Sequence, residues 1–146
     1  MKSLITESIL DPWQALADYQ QQVLSDQSGQ VGGTTVFTGT MRDFNEASGI
    51  VCMELEHFPG MTERYLDKIL QEAVQQWDLV DALIIHRVGE IEVDDCIVLV
   101  AAWSARRKAA FEAARYLIEE LKSRAPFWKK ERFETGSQRW VESNTN

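Results

Sequence analysis

Two largely apolar runs, Ala82 to Val88 and Cys96 to Trp103, the first broken only by His86-Arg87, constrain the fold more than any other feature of this chain. Each is short and bounded by turn-forming residues, with Gly89 and Asp94-Asp95 between them, so both read as strands joined by a tight connection. The rest of the chain arranges itself around that pair. Leu4 to Leu10 reads as a first strand, and Asp11-Pro12 as a helix start, an N-cap acceptor followed by proline at the first helical position. Trp13, Leu16, Ala17, Val23 and Leu24 follow at helical spacing, and the polar stretch Ser25 to Gln30 reads as a loop. Val31 to Thr40, opened by Gly32-Gly33, reads as a strand, Asp43 to Gly49 as a loop, and Ile50 to Phe58 as a second long strand.

Pro59-Gly60 ends that strand, and a helix to about Trp77 carries Leu66, Ile69, Leu70, Ala73 and Trp77 on its apolar stripe. The last long helix, predicted to be capped by Ser104, has Ala110, Ala113, Ala114, Leu117 and Leu121 on its stripe. Pro126 stops it, because proline disfavours helix at the preceding residue and offers no N–H. A strand through Phe127 to Phe133 and a short segment Arg139-Trp140-Val141 finish the ordered part, expected to span about residues 4–141. Strands and helices mix without strict βαβ alternation, so the predicted class is α+β in one domain over 1–146.

At 146 residues the chain can bury one core unaided, and its 45% hydrophobic and 26% charged content is that of a soluble globular protein. No apolar run approaches the length of a membrane span or a signal peptide. Cys52 and Cys96 each sit in an apolar stretch at a spacing that fits neither a zinc site nor a CxxC pair, which predicts core thiols in a reducing cytoplasm and no metal. A net charge of -8 argues against nucleic-acid binding. The charge is uneven, however. Residues 105–132 hold nine of the fifteen Lys and Arg against four acids, a local +5 on a remainder of -13, which suggests one site for a small anion.

Within that basic stretch, Arg106, Arg107 and Lys108 open the last helix, where the dipole already makes cations unfavourable. An anion at the free N–H groups would reverse that sign, whereas the plainer reading has the three side chains in water. Lys122, Arg124, Lys129 and Lys130 lie at the far end, interleaved with Phe127 and Trp128. Lysines beside apolar walls can lose basicity and act as acid, base or nucleophile; the plainer reading is a solvated helix end and core aromatics. Arg107 and Lys122 are 15 residues apart, about 22 Å along a helix, beyond the reach of one small ligand. They serve different sites, or they meet across a two-fold interface between two chains. Arg42, after the Val31 to Thr40 strand, is a further candidate phosphate clamp. His57 and His86, inside strand patterns, read as hydrogen-bonded structural histidines.

Several longer motifs carry a resemblance: Phe37-Thr38-Gly39 with Arg42, Leu55 through Thr62, His86-Arg87-Val88-Gly89-Glu90, Ala109 to Ala113 around Phe111, and Lys122 through Lys129. From about Val31 to Val141 the chain resembles the large, catalytic subunits of molybdopterin synthase. The resemblance implies an α/β hammerhead-type fold with a mixed or antiparallel sheet and three main helices. It implies a homodimer that becomes a heterotetramer with a small ubiquitin-like sulfur carrier ending in Gly-Gly. The implied reaction passes sulfur from the carrier's C-terminal thiocarboxylate to cyclic pyranopterin monophosphate, building the dithiolene of molybdopterin, with no cofactor. Carried over by position, Lys122 and Lys129 match catalytic lysines. Thr40, Met41, Arg42, Arg106, Arg107, Lys130 and Glu131 match substrate-binding positions, Arg107 from the neighbouring subunit. Some relatives have histidine where Arg106 stands and lysine where Thr40 stands; an arginine keeps the charge but cannot shuttle protons. A non-enzymatic anion-binding or regulatory dimer, and an interaction subunit that only receives a partner's tail, are the competing classes.

Overall fold

The computed structural model describes residues 1–43, 49–133 and 136–141. The two apolar runs form strands, but between them the chain makes one more excursion, and that excursion divides the fold into two sheets. In chain order the strands are β1 (Lys2–Thr6), β2 (Gly33–Thr40), β3 (Ile50–His57), β4 (Asp81–Arg87), β5 (Gly89–Glu92), β6 (Cys96–Ser104), β7 (Phe127–Phe133) and β8 (Gln138–Trp140). The helices are α1 (Pro12–Val23), α2 (Met61–Trp77) and α3 (Arg107–Ser123). The first sheet has the order β1-β4-β6-β2, with β1 parallel to β4 and the other pairs antiparallel. The second, β5-β3-β7-β8, is antiparallel throughout. The α+β class predicted from the sequence is the one observed.

The helices form for the reasons their sequences give. Asp11 caps α1, accepting from the N–H groups of Trp13 and Gln14 at 3.1 and 3.2 Å, with Pro12 at the first helical position. α2 and α3 bury Leu66, Ile69, Leu70 and Ala73, and Ala113, Ala114, Leu117 and Leu121, against Ile84, Val98, Val100 and Ala102 of the first sheet. α1 covers the opposite face less completely. Of the stripe predicted for it only Leu16 and Leu24 are partly buried; Trp13, Ala17 and Val23 are exposed, and Tyr19 is its buried anchor. Tyr19 stacks on Trp103 and donates to the buried Asp81 carboxylate at 2.7 Å.

A bulge joins the two cores. β2 and β6 slip register between Gly39 and Thr40, which pair with Val98 and Cys96 and leave Ile97 between them. Ile97 thereby enters the second core with Met41, Met53, Leu55, Val88 and Ile91, the re-aiming expected of a bulge. Gly39 is required here, because a Cβ would lie 2.8 Å from a Val98 methyl.

Several boundaries differ from expectation. β1 ends at Thr6 rather than Leu10, and β2 begins at Gly33, with the Gly32 N–H just before it donating to the Ser104 carbonyl. The polar stretch after α1 contains a short 3-10 turn, Ser25–Gln27. The N-cap of α3 is Arg106, not Ser104; Ser104 closes β6 and its hydroxyl accepts the Arg106 N–H at 3.2 Å. Most of the loop predicted at Asp43 to Gly49 lies outside the described residues. Among the described residues no helix is long and apolar enough to cross a membrane.

Gly32 sets the seat of α3. A Cβ on it would lie 2.2 Å from the Ala105 carbonyl oxygen, a clash that backbone must move to relieve. Gly32→Ala should therefore cost about 2 kcal/mol or more in chemical denaturation, the range of an overpacked site. Gly29→Ala, with nothing within 4 Å, should cost only the roughly 1 kcal/mol of its left-handed backbone.

Candidate active site

The corner between α3 and β7 brings the two candidate catalytic lysines together. α3 ends with the Arg124 and Ala125 N–H groups both donating to the Glu120 carbonyl, and Pro126 turns the chain into β7. Lys122 sits in the last turn of α3, and Lys129 is the third residue of β7. The hydroxyl of Thr62, fully buried in the first turn of α2, fixes the corner: it accepts the Phe58 N–H at 2.9 Å and donates to the Pro126 carbonyl at 3.0 Å. Thr62 closes the Leu55 through Thr62 motif, and the only sequence sign of its role is a polar residue on the buried side of a helix's first turn.

Phe127 begins β7 by stacking on His86, ring centroids 4.0 Å apart and planes 16° from parallel. His86 is buried, and its Nδ1 lies 2.8 Å from the Arg87 carbonyl oxygen, which can only accept, so Nδ1 carries the proton. Burial first, then the charges of Lys122 and Lys129, hold the His86 pKa down at about 3. The ring is a neutral wall at working pH, the structural histidine expected from the sequence. His57 is half-buried, its Nε2 3.3 Å from Glu63 Oε1.

The lysines respond to the same surroundings. Both are half-buried. Burial lowers the pKa of Lys122. Lys129 is lowered to about 8, by burial first and the Lys122 charge second, with Glu131 opposing. An amine poised near neutrality can exchange protons at working pH, which an ordinary lysine at 10.5 cannot do as readily.

β7 sorts its other residues by face. Residues 127, 129, 131 and 133 share one side and 128, 130 and 132 the other, by the two-residue period of a strand. Glu131 is only 2% exposed and pairs with Arg139 Nε of β8 at 2.9 Å. That places it in a buried ion pair two residues from Lys129. Lys130 lies on the opposite face from Lys129, over the Trp140 ring at 5.4 Å, where it lines a shallow depression with Cys52, Glu54, Glu90, Arg132 and Gln138. Met41, matched to a substrate position by the resemblance, is buried in the second core, with its N–H and C=O bonded to Asp95 and Asp94. That placement gives it a packing role.

Thr40 and Arg42 are exposed at the end of β2 that pairs with Cys96, the same end of the sheet as His86, which pairs with Val98. Arg106 and Arg107 are exposed at the other end, where β2 begins: a Cβ on Gly33 would sit 3.4 Å from the Arg107 Cα. Within one chain the structure thus gathers Arg42, Lys122 and Lys129 toward one end and leaves Arg106 and Arg107 at the other. Lys108 is paired with Glu112 one helical turn on. Burial raises the Cys96 pKa, and its thiol donates to the Val98 carbonyl, so neither it nor the buried Cys52 is set up as a nucleophile. Among the described residues no cluster of three or more His, Cys, Asp and Glu could hold a metal ion.

Titration of Lys129 is directly measurable. In a lysine-labelled chain followed by NMR, Lys129 should titrate near pH 8, and Lys122→Ala should raise that value by removing a like charge. Because the folded chain gives up this proton more easily than the unfolded one, its contribution makes stability rise with pH between about 8 and 10.5 and adds no slope outside that window.

Comparison with known proteins agrees on one family. The family model described as MoaE protein matches residues 9–124. The chain is 53% identical over 114 residues to the molybdopterin synthase catalytic subunit of Ralstonia nicotianae, a match covering 78% of this chain and 64% of that relative's length. It is 44% identical over 138 residues to the one of Pseudomonas aeruginosa, covering 94% and 88%. The crystal structure of molybdopterin synthase from Staphylococcus aureus superposes with a TM-score of 0.80 at 30% identity, over 97% of this chain and 98% of that one. A family match over most of the chain, relatives of this identity and a shared fold make the chain a member of the MoaE family, to which the named catalytic subunits of molybdopterin synthase are its relatives.

Proposed function

We propose that this chain is the catalytic, sulfur-transferring subunit of a molybdopterin synthase. It accepts sulfur from the C-terminal thiocarboxylate of a small ubiquitin-like carrier and delivers it to cyclic pyranopterin monophosphate in the cytoplasm. The observation that carries this reading is the pair of half-buried lysines of lowered basicity, Lys122 and Lys129, held against the neutral His86–Phe127 wall. Their charges attract the anionic thiocarboxylate, and Lys129, near its pKa at working pH, hands a proton to a leaving oxygen or takes one from an incoming group. Arg42 binds the substrate phosphate from the same end of the chain, with Arg106 and Arg107 supplied by a second copy. Sulfur comes from outside the chain, in keeping with two cysteines that are not activated as nucleophiles.

The test is conversion of the pyranopterin phosphate by this chain and thiocarboxylated carrier. Lys122→Ala should remove nearly all product while the melting temperature holds, because a lysine at a helix end contributes little stability. Lys122→Arg should also be poor, since a guanidinium keeps the charge but does not release its proton near neutrality. Full activity in Lys122→Arg would replace proton transfer by charge binding and favour a non-enzymatic anion-binding dimer.

The separation of Arg107 from Lys122 gives a second expectation. Arg107→Ala and Lys122→Ala should each be inactive alone. After subunit exchange, mixed dimers hold one intact site each, so about one quarter of wild-type sites should return from an equal mixture. Continued inactivity with demonstrated exchange would place both residues in one chain's site.

A further inference from the structure

Arg87, the last residue of β4, is a cation only 4% exposed that plays no part in the chemistry above. Burying a guanidinium is costly unless its donors find acceptors. Its Nη1 donates to Asp95 Oδ2 at 3.0 Å and its Nη2 to the Glu90 carbonyl at 2.9 Å. These acceptors flank the turn that joins β5 to β6, one on each side. A planar fork reaches both at once, which a point-charge ammonium cannot match. Asp95 also closes the turn from within. Its N–H donates to the Glu92 carbonyl at 3.1 Å, and its carboxylate accepts the Glu92 N–H at 3.0 Å. Asp94, between them, takes a φ of 72°, a left-handed conformation uncommon outside glycine that its surroundings must hold.

The turn in its turn holds the end of β2. The pairing of β2 with β6 stops at Thr40, just past the bulge. Met41 continues onto the turn instead: its N–H donates to the Asp95 carbonyl and its carbonyl accepts the Asp94 N–H, both at 2.9 Å. Arg42 is the next residue, and it is exposed. An exposed arginine is thus carried on a backbone fastened through both polar groups of the residue before it.

We propose that Arg87 and Asp95 are positioning residues for Arg42: their ion pair locks the β5–β6 turn, the turn locks Met41, and Met41 aims the arginine that grips the substrate phosphate. What Arg42 grips rests on the sulfur-transfer reading above; the tether stands on the hydrogen bonds themselves. A clamp aimed beforehand spares the substrate the cost of ordering it.

Arg87 meets the other half of the site by a separate route. Its carbonyl oxygen lies 2.8 Å from His86 Nδ1 and so orients the ring that walls the lysines. That contact is made by the main chain, and it survives when the guanidinium loses its partner. Loosening the tether therefore weakens phosphate binding and leaves the lysines in place, an effect on KM rather than on kcat.

The experiment compares the full chain with Asp95→Asn, in which the amide still accepts the Glu92 N–H but no longer offers Arg87 a charge. Amide hydrogen exchange reads the tether: the Met41 and Asp94 N–H groups should exchange about tenfold faster while β4 and β6 keep their rates, the mark of a local opening. Turnover with thiocarboxylated carrier reads the clamp. KM for the pyranopterin phosphate should rise about tenfold, as for one weakened charge-assisted contact, with kcat within about twofold. Arg42→Ala should raise KM at least as far. Because Asp95 acts through Arg42, adding Asp95→Asn to Arg42→Ala should raise KM no further, whereas independent roles would multiply the two effects. Should an unpaired Arg87 prevent folding, Arg87→Met together with Asp95→Asn removes both charges and should give the same exchange and the same KM. Unchanged exchange at Met41, multiplied KM effects, or a loss in kcat instead of KM overturns the inference. If exchange at Met41 quickens but the wild type makes no product with carrier, the tether stands and the sulfur-transfer reading falls. If the wild type makes product and the KM of Asp95→Asn is unchanged, that reading stands and the positioning role falls.

Discussion

One buried hydroxyl holds the architecture of the site. Thr62 accepts from Phe58, just past the end of β3, and donates to the Pro126 carbonyl between α3 and β7, so a single oxygen ties the turn into α2 to a corner 64 residues further along the chain. A hydroxyl without these partners would cost free energy in so dry a place, which makes the arrangement self-enforcing. The position of Lys122 relative to Lys129 depends on that corner, because one precedes Pro126 and the other follows it. The Phe127–His86 stack depends on it too, since Phe127 leaves the corner directly.

The second sheet gives the corner something to rest on. The bulge at Gly39 and Thr40 turns Ile97 out of the first core and into the second, and Met41 follows it. Phe127 packs against both cores, so the lysines stand at the seam between two hydrophobic bodies rather than on the surface of one. That seam explains how two cations come to be half-desolvated within a protein of strongly negative net charge.

Much of this was legible in the residues. The cap of α1, the stripes of α2 and α3, the strand pair 82–88 and 96–103, and the stop at Pro126 rest on local chemistry, and local chemistry decided them. The separation of Arg107 from Lys122 also needed only helix geometry. What was not legible depends on distant pairing. Gly89 to Glu92 reads as a connection because four residues with two glutamates show no strand pattern, yet they pair with β3 and open the second sheet. Lys129 and Lys130 look equivalent in a run, and only the strand period, once β7 is placed, sends them to opposite faces. Glu131 carries no sequence mark of burial, because its counterion arrives from Arg139 eight residues later across a hairpin. α1 shows the reverse error: Trp13 looked like an anchor and lies in solvent, while Tyr19 found Asp81 and Trp103.

The link between Glu131 and Arg139 has a bearing on where the enzyme's chemistry ends. Glu131 favours the charged form of Lys129. Arg139, delivered by the last strand, shares that carboxylate and draws off part of its negative field. A chain cut short before β8 would keep Lys122, Lys129 and both sheets' central strands. It would nevertheless leave the carboxylate to Lys129 alone, and the lysine would hold its proton to higher pH. The C-terminal strand is in that sense a counterweight that flanks β7 and tunes the acidity of Lys129 by way of Glu131.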